Sequence, residues 1–167
     1  MSDAWRATLW LSATLGLLLL ILPWQLLRWD HSLSPALLKL FAYSGAVLFS
    51  AGAVLIVMGA YYLMRRGAGT PLPWHPPRRL VVAGPYAHIQ HPMLTGMLAM
   101  VWGEALWFRS PSLTLYGVVL TIGTVLYVSR IEEPTLEKRF GPDYRAYQAA
   151  LPRWLPFFIS HPPKTQN

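Results

Sequence analysis

Two stretches of this chain carry residue types that can do chemistry. The first is GPYAHIQHPMLTG, Gly84 to Gly96, in which His88 and His91 lie three residues apart. The second is RIEEPTLEKRFGPDYRAYQAALPRWLP, Arg130 to Pro156, which opens on the adjacent acids Glu132 and Glu133. An imidazole can take up or release a proton near neutral pH. Ionised carboxylates bind ammonium and hydroxyl groups through charge-assisted hydrogen bonds. A metal centre needs three or four ligands with supporting partners, and no carboxylate lies near the histidine pair in sequence. The chain has no Cys, which excludes disulfides, thiolate zinc sites and thiol nucleophiles. No GxSxG-type elbow points to a serine hydrolase. Binding of a polar ligand, with proton transfer, is the chemistry these residues suit.

The elements that must position them are apolar. Of 167 residues, 54% are hydrophobic and 13% charged, the mean hydropathy is +0.35, and there are 8 Trp. The charged share is roughly half the soluble average, and disorder is excluded because disordered chains are poor in apolar residues. The class expected is an all-α integral membrane protein. Four apolar stretches, about 7–27, 37–64, 93–108 and 113–128, predict four transmembrane helices in one domain spanning 1–167. Pro111 marks a tight hairpin between the last two. The first stretch has no small-residue cleavage site after it and reads as a retained anchor rather than a signal peptide.

The net charge of +7 follows the topology. With four spans, one side holds the N-terminus, the segment 65–91 and the tail 130–167, and carries 11 of the 14 Lys and Arg residues. Arg28, Lys39 and Arg109 fall on the other side. The positive-inside rule places both termini and both chemistry-bearing segments in the cytoplasm. No basic helix is left over to imply nucleic acid. In the second span Gly45, Gly52 and Gly59 recur every seven residues, each followed by Ala. This small-residue face fits close packing against another span of the same chain, with a homodimer contact as the alternative.

The segment 65–91, with its prolines, predicts a stiff path rather than a long helix. In the tail, Leu136, Phe140, Tyr144, Tyr147 and Leu151 recur at helical spacing around Gly141-Pro142, predicting two short amphipathic helices on the cytoplasmic face. Pro134 disfavours helical geometry at Glu133, so the paired acids are expected at a helix break. Two acids beside a bilayer are costly unless a cation compensates them. One reading is a fastening to Arg130, Lys138 or Arg78/Arg79. The other is a polar pocket between the two segments. Glu104, about 18 Å along the third span from Pro92, is expected to pair with Arg109 in a structural role.

The two stretches together resemble the isoprenylcysteine carboxyl methyltransferase and phospholipid N-methyltransferase superfamily, membrane enzymes that use S-adenosylmethionine. The family pattern of Gly-x-Tyr, Arg-His-Pro-x-Tyr and Gly, then two spans, Glu-Glu, Phe-Gly and spaced tyrosines, is matched in order from about Arg78 to Pro156. The resemblance implies cofactor binding by Gly84, Tyr86, His91, Pro92, Leu94, Gly96 and Glu132, with further backbone contacts at Arg78 to Val81. It implies catalytic positions at Arg130, Glu133 and His91, and no metal. It also implies a lipid-like or small-molecule acceptor arriving from the membrane lipid. Gln90 stands where the family has Arg, Leu94 where it has Tyr, and Val128 where the prenylcysteine enzymes have a substrate-holding Arg. With those cations gone, a neutral or cationic acceptor is expected in preference to a carboxylate. The alternatives are isoprenylcysteine carboxyl methylation proper and a non-catalytic scaffold that keeps the fold.

Overall fold

A computed structural model describes residues 13–14, 16–27, 38–68 and 77–154. Every regular element among them is helical. A π-helical stretch Leu17–Ile21 runs into α1 (Leu22–Leu27), followed by α2 (Leu38–Arg66), a 3-10 turn Gly84–Ala87, α3 (Pro92–Phe108) and α4 (Pro111–Tyr127). A second π-helical stretch Val128–Glu132 leads to α5 (Glu133–Phe140) and α6 (Pro142–Ala150). Proline opens three of these helices at the first position and lies second in α5. In the first turn its missing N–H has no helical partner to lose, and its fixed φ suits the helix.

Two helices, Phe41–Arg66 and Pro111–Phe140, are long and apolar enough to cross a bilayer. Val47, Val54 and Val57 on the first, and Leu115, Val119, Ile122 and Leu126 on the second, are exposed, as side chains facing lipid would be. The third and fourth expected spans correspond closely to α3 and to the start of the Pro111 helix. The 17 residues of α3 rise about 25 Å, somewhat less than a bilayer core. The expected first span lies partly outside the described residues, as does part of the stiff segment at 69–76.

The chain divides into two compact units, Met1–Val54 with Gly96–Gly123 and Leu55–Thr95 with Thr124–Asn167. In the first, α2 and α3 approach backbone to backbone. A Cβ on Gly45 would stand 2.6 Å from the Gly103 carbonyl oxygen and from the Trp107 nitrogen, and one on Gly52 would stand 2.5 Å from the Gly96 carbonyl oxygen. In the second unit, a Cβ on Gly59 would meet Met93 at 2.7 Å. The seven-residue glycine face is therefore packed by α3 of the same chain. Trp102 donates to Thr121 Oγ1 at 3.1 Å, tying α3 to α4. The expected Glu104–Arg109 pair is not formed. Glu104 is buried with Oε2 unpartnered, and Arg109 Nε and Nη1 are unpartnered as well. Arg109 has a positive φ in the turn that closes α3, a local geometry that the helical spacing from Glu104 did not anticipate.

The second unit contains the tail. Its core is Tyr144, Tyr147 and Leu151, packed on by Leu80, Val82, Leu136, Phe140 and Ala150. These are the apolar positions whose spacing predicted two helices. Gly141, with φ +57°, makes the corner between α5 and α6, a conformation that costs an L side chain but not glycine.

The helix break expected at Pro134 is a wide turn instead. The Glu133 N–H reaches back five residues to the Val128 carbonyl, and the chain stays helical from Pro111 to Phe140. Proline would crowd the carbonyl four residues before it. One additional residue in the turn relieves that conflict without ending the helix, as π-bulges do.

Adding a methyl group at Gly45 forces backbone apart, whereas nothing lies within 4 Å of a Cβ on Gly123. Gly45→Ala is expected to destabilise the fold by about 1–3 kcal/mol, and Gly123→Ala to leave stability unchanged or raised. Thermal unfolding of the two variants in detergent checks this.

Candidate functional site

The site is built from the α3 entry, the π-turn and the last described residues, all within the second unit. His91 immediately precedes α3, and its side chain is only 3% exposed. Glu132 ends the π-turn and Glu133 begins α5. Both carboxylates reach the same imidazole: Glu132 Oε1 is 3.3 Å from Nδ1 and Glu133 Oε1 is 3.6 Å from Nε2. Adjacent residues on a helix diverge by about 100°, so it takes two long side chains to bring both acids to one ring. Glu132 remains 29% exposed, whereas Glu133 is 9% exposed.

The cation that compensates Glu133 is Arg153. Its Nη2 donates to Oε2 at 2.8 Å, and its Nε lies 2.8 Å from Oε1. This side-on pairing offsets much of the cost of burying a carboxylate. None of the expected fastenings (Arg130, Lys138, Arg78 or Arg79) pairs with the acids among the described residues. Arg130 is exposed, two residues before Glu132 and on a different face. Glu137 pairs outside the site, with Arg145 at 2.5 Å.

Arg153 is delivered by a strap, residues 148–154, laid against the start of α3. Gln90 Nε2 donates to the Gln148 carbonyl at 3.1 Å and to that of Leu151. The Gln90 and His91 backbone N–H groups donate to the Pro152 and Arg153 carbonyls at 3.0 and 3.3 Å. Thr95 Oγ1 donates to the Trp154 carbonyl at 3.3 Å, and the Trp154 ring lies 5.7 Å from that of His91. Gln90, where the family pattern has Arg, is thus the clasp of the strap.

Three tyrosines floor the site. Tyr147 Oη donates to the Tyr86 carbonyl at 2.8 Å and points at that of Ile89, 3.2 Å away. Burial pushes the Tyr147 phenol far above its ordinary range, with Tyr86 and Tyr144 adding to the effect. Burial does the same for Tyr86, helped by Glu132, and for Tyr144, helped by Glu133 and Glu132. All three stay neutral. Three polar atoms in this cluster are buried without a hydrogen-bond partner: His91 Nε2, Gln90 Oε1 and Tyr144 Oη. Native structures leave few such atoms, and here they are gathered at one place.

The structure therefore brings together Tyr86, His91, Glu132 and Glu133 of the residues singled out in sequence. The remaining positions have other surroundings. Pro92 is fully buried as the first residue of α3, where it sets the helix start. Leu94 is half-buried. Gly96 belongs to the first unit, its carbonyl at the close approach of Gly52, where it packs α3 on α2. Gly84 has φ +60° and lies against the Tyr62 ring, which fixes the turn carrying Tyr86. His88 Nδ1 is 3.1 Å from the Gly84 carbonyl, apart from His91's carboxylates. Sequence reasoning missed Arg153, Trp154 and the clasp function of Gln90. The signal that could have found Arg153 is its place directly after the amphipathic helices, as the first cation beyond them.

A family model described as phospholipid methyltransferase matches residues 40–143. No curated protein and no solved structure matches the chain.

Gln90→Ala removes the side-chain donor for two carbonyls of the strap. It is expected to weaken strap closure by about 1–3 kcal/mol, read as faster amide hydrogen exchange across 148–154 with exchange in α4 unchanged.

Proposed function

Because the chain belongs to the phospholipid methyltransferase family, we propose that it is a membrane enzyme transferring a methyl group from S-adenosylmethionine to a lipid-like or small apolar acceptor. The observation that carries this reading is the imidazole of His91 set between Glu132 and Glu133, with the orphaned polar atoms of Gln90 and Tyr144 in the same cluster. These groups fit the cofactor. Its ammonium and ribose hydroxyls need carboxylate acceptors, and its sulfonium and adenine suit aromatic faces such as Tyr86 and Trp154. When bound, it supplies an electrophilic methyl group on a sulfonium.

The chain's own residues do the rest. Glu132, half open, is the carboxylate with capacity left to hold a cationic or hydroxyl-bearing ligand. Glu133 is neutralised by Arg153, so its charge is largely taken up within the protein. An amine or thiol acceptor must lose a proton, and His91 can take it with a carboxylate beside either nitrogen. An ionised carboxylate acceptor would need no base but would face both glutamates. We therefore favour a neutral or cationic acceptor atom over a prenylcysteine carboxylate. Enclosure by the strap and the Gly84–His91 segment orients the reactants, an effect worth up to roughly 7–11 kcal/mol.

In this reading the chain crosses the membrane four times, through the stretch ending at α1, α2, α3 and the Pro111 helix. Both termini and the site are cytoplasmic, on the positive-inside rule. Cysteine introduced at Thr135 of this Cys-free chain is expected to resist a membrane-impermeant reagent in intact cells, while one at Ser32 reacts; the reverse pattern would overturn the orientation.

Cofactor affinity tests the assignment of the acids. Glu132→Gln is expected to weaken S-adenosylmethionine binding about ten- to a hundredfold, the loss of one charge-assisted hydrogen bond. Glu137→Gln loses only an exposed pair with Arg145, worth little, and should bind as the natural chain does. Calorimetry on folded protein in nanodiscs measures both. Absence of any binding by the unaltered protein would sink the enzyme reading.

A further inference from the structure

Five arginines meet at the end of α2. Arg65 and Arg66 are its last two residues. Next in the chain, the Gly67 N–H donates to the Leu63 carbonyl at 2.8 Å, and the Gly67 carbonyl accepts from the N–H groups of both Arg78 and Arg79, at 2.8 and 3.3 Å. Gly67 is buried, and a Cβ there would stand 3.0 Å from that of Pro77, so the segment carrying Arg78 and Arg79 is seated directly on the helix end. From the other side, Arg139 of α5 donates through Nη1 to the Pro77 carbonyl at 3.4 Å. All five residues belong to the second unit, and all are exposed.

Among the described residues, none of the five pairs with a carboxylate. Glu133 is taken by Arg153, and Glu137 by Arg145. Crowded like charges repel one another, and the backbone hydrogen bonds at Gly67 keep Arg78 and Arg79 from spreading away. The cluster therefore calls for an anion from outside the chain.

The face of α2 that leads to it identifies the source. The helix is long and apolar enough to cross a bilayer, and it ends at Arg66. Val57, Met58, Tyr61 and Met64 are exposed, at spacings that share one side of a helix, and Arg65 continues that side. The Arg65 guanidinium lies over the Tyr61 ring, 5.7 Å from its centroid, a cation–π arrangement. Tyrosine is favoured at the depth of lipid headgroups. An apolar stripe thus runs straight into the arginines. A dissolved anion would meet only the cations, whereas a phospholipid lays acyl chains on the stripe and brings its phosphate to guanidinium forks that match it.

We infer that Arg65, Arg66, Arg78, Arg79 and Arg139 form a binding site for an anionic phospholipid, its headgroup among the guanidiniums and its chains along Val57, Tyr61 and Met64. None of these arginines pairs with Glu132 or Glu133, so the site is separate from the one proposed for methyl transfer. It requires that α2 cross the bilayer, and it does not depend on the enzyme reading.

Native mass spectrometry of the full-length protein in detergent, titrated with chain-matched lipids, tests this by counting bound molecules. Phosphatidylglycerol is expected to bind about tenfold more tightly than phosphatidylcholine. Arg65→Gln combined with Arg66→Gln should weaken phosphatidylglycerol binding about tenfold and leave phosphatidylcholine binding as it was. Arg65→Lys with Arg66→Lys, which keeps both charges, should retain most of the preference. Arg145→Gln, which removes a cation already paired with Glu137, should change little. Equal binding of the two lipids by the unaltered protein overturns the inference. A preference that survives the glutamine pair, or that Arg145→Gln abolishes as fully, removes it from this cluster and overturns it as well. Inorganic phosphate should not displace the lipid at equal concentration, and neither should a short single-stranded oligonucleotide at physiological salt. Displacement by either would make the cluster a general anion or nucleic-acid contact and overturn the lipid assignment.

Discussion

A buried carboxylate must find a cation, and in this protein that requirement shapes everything near the site. Glu133 is nearly inaccessible and beside an imidazole whose other nitrogen faces a second acid. Its guanidinium comes from Arg153, twenty residues downstream. To bring Arg153 back, the chain must turn at Gly141, run α6 along the Leu80–Val82 segment, and lie down on the entry to α3. The tyrosine core, the Gln90 clasp and the strap hydrogen bonds all hold that return path. Each alone is worth of order 1 kcal/mol; together they define one geometry for His91.

The same requirement accounts for the wide turn. If the helix before Pro134 had ended, Glu132 and Glu133 would lie on irregular backbone with nothing to set their direction. If it had continued as an ordinary α-helix, the proline would have crowded the Arg130 carbonyl. The π-turn resolves both problems, since the helix continues with a shifted register. Helices with such a bulge often carry functional residues at it.

Periodicity made much of this legible. The spacing of Leu136, Phe140, Tyr144, Tyr147 and Leu151 located α5, α6 and their buried face, because a 3.6-residue repeat reports directly on which side meets a core. The glycine repeat identified the close-packed face of α2, against which α3 of the same chain lies. The acids and His91 stood out because charged groups in so apolar a chain are few. Long-range pairing left no such signal. The Glu133 partner was sought among nearby basic residues and proved to be one that only the return of the chain brings close. Gln90 looked like a lost cation, although an amide can donate to two carbonyls at once and an arginine in its place would bring a charge into a buried position. Pro134 read as a stop because the local rule for proline ignores the option of a wider turn.

The strap also imposes an order on biosynthesis. Gln90 and His91 leave the ribosome some sixty residues before the carbonyls that Gln90 binds, with α3 and α4 still to be made. Throughout that interval the start of α3 has open donors, and the acids, once made, wait twenty residues for their guanidinium. The site therefore cannot assemble span by span; it closes only when Leu151 to Trp154 emerge. A nascent or truncated chain lacking those four residues has its apolar helices but no finished polar cluster. For the same reason, a chain cut back through Arg153 would keep every described helix and lose the cation of the site.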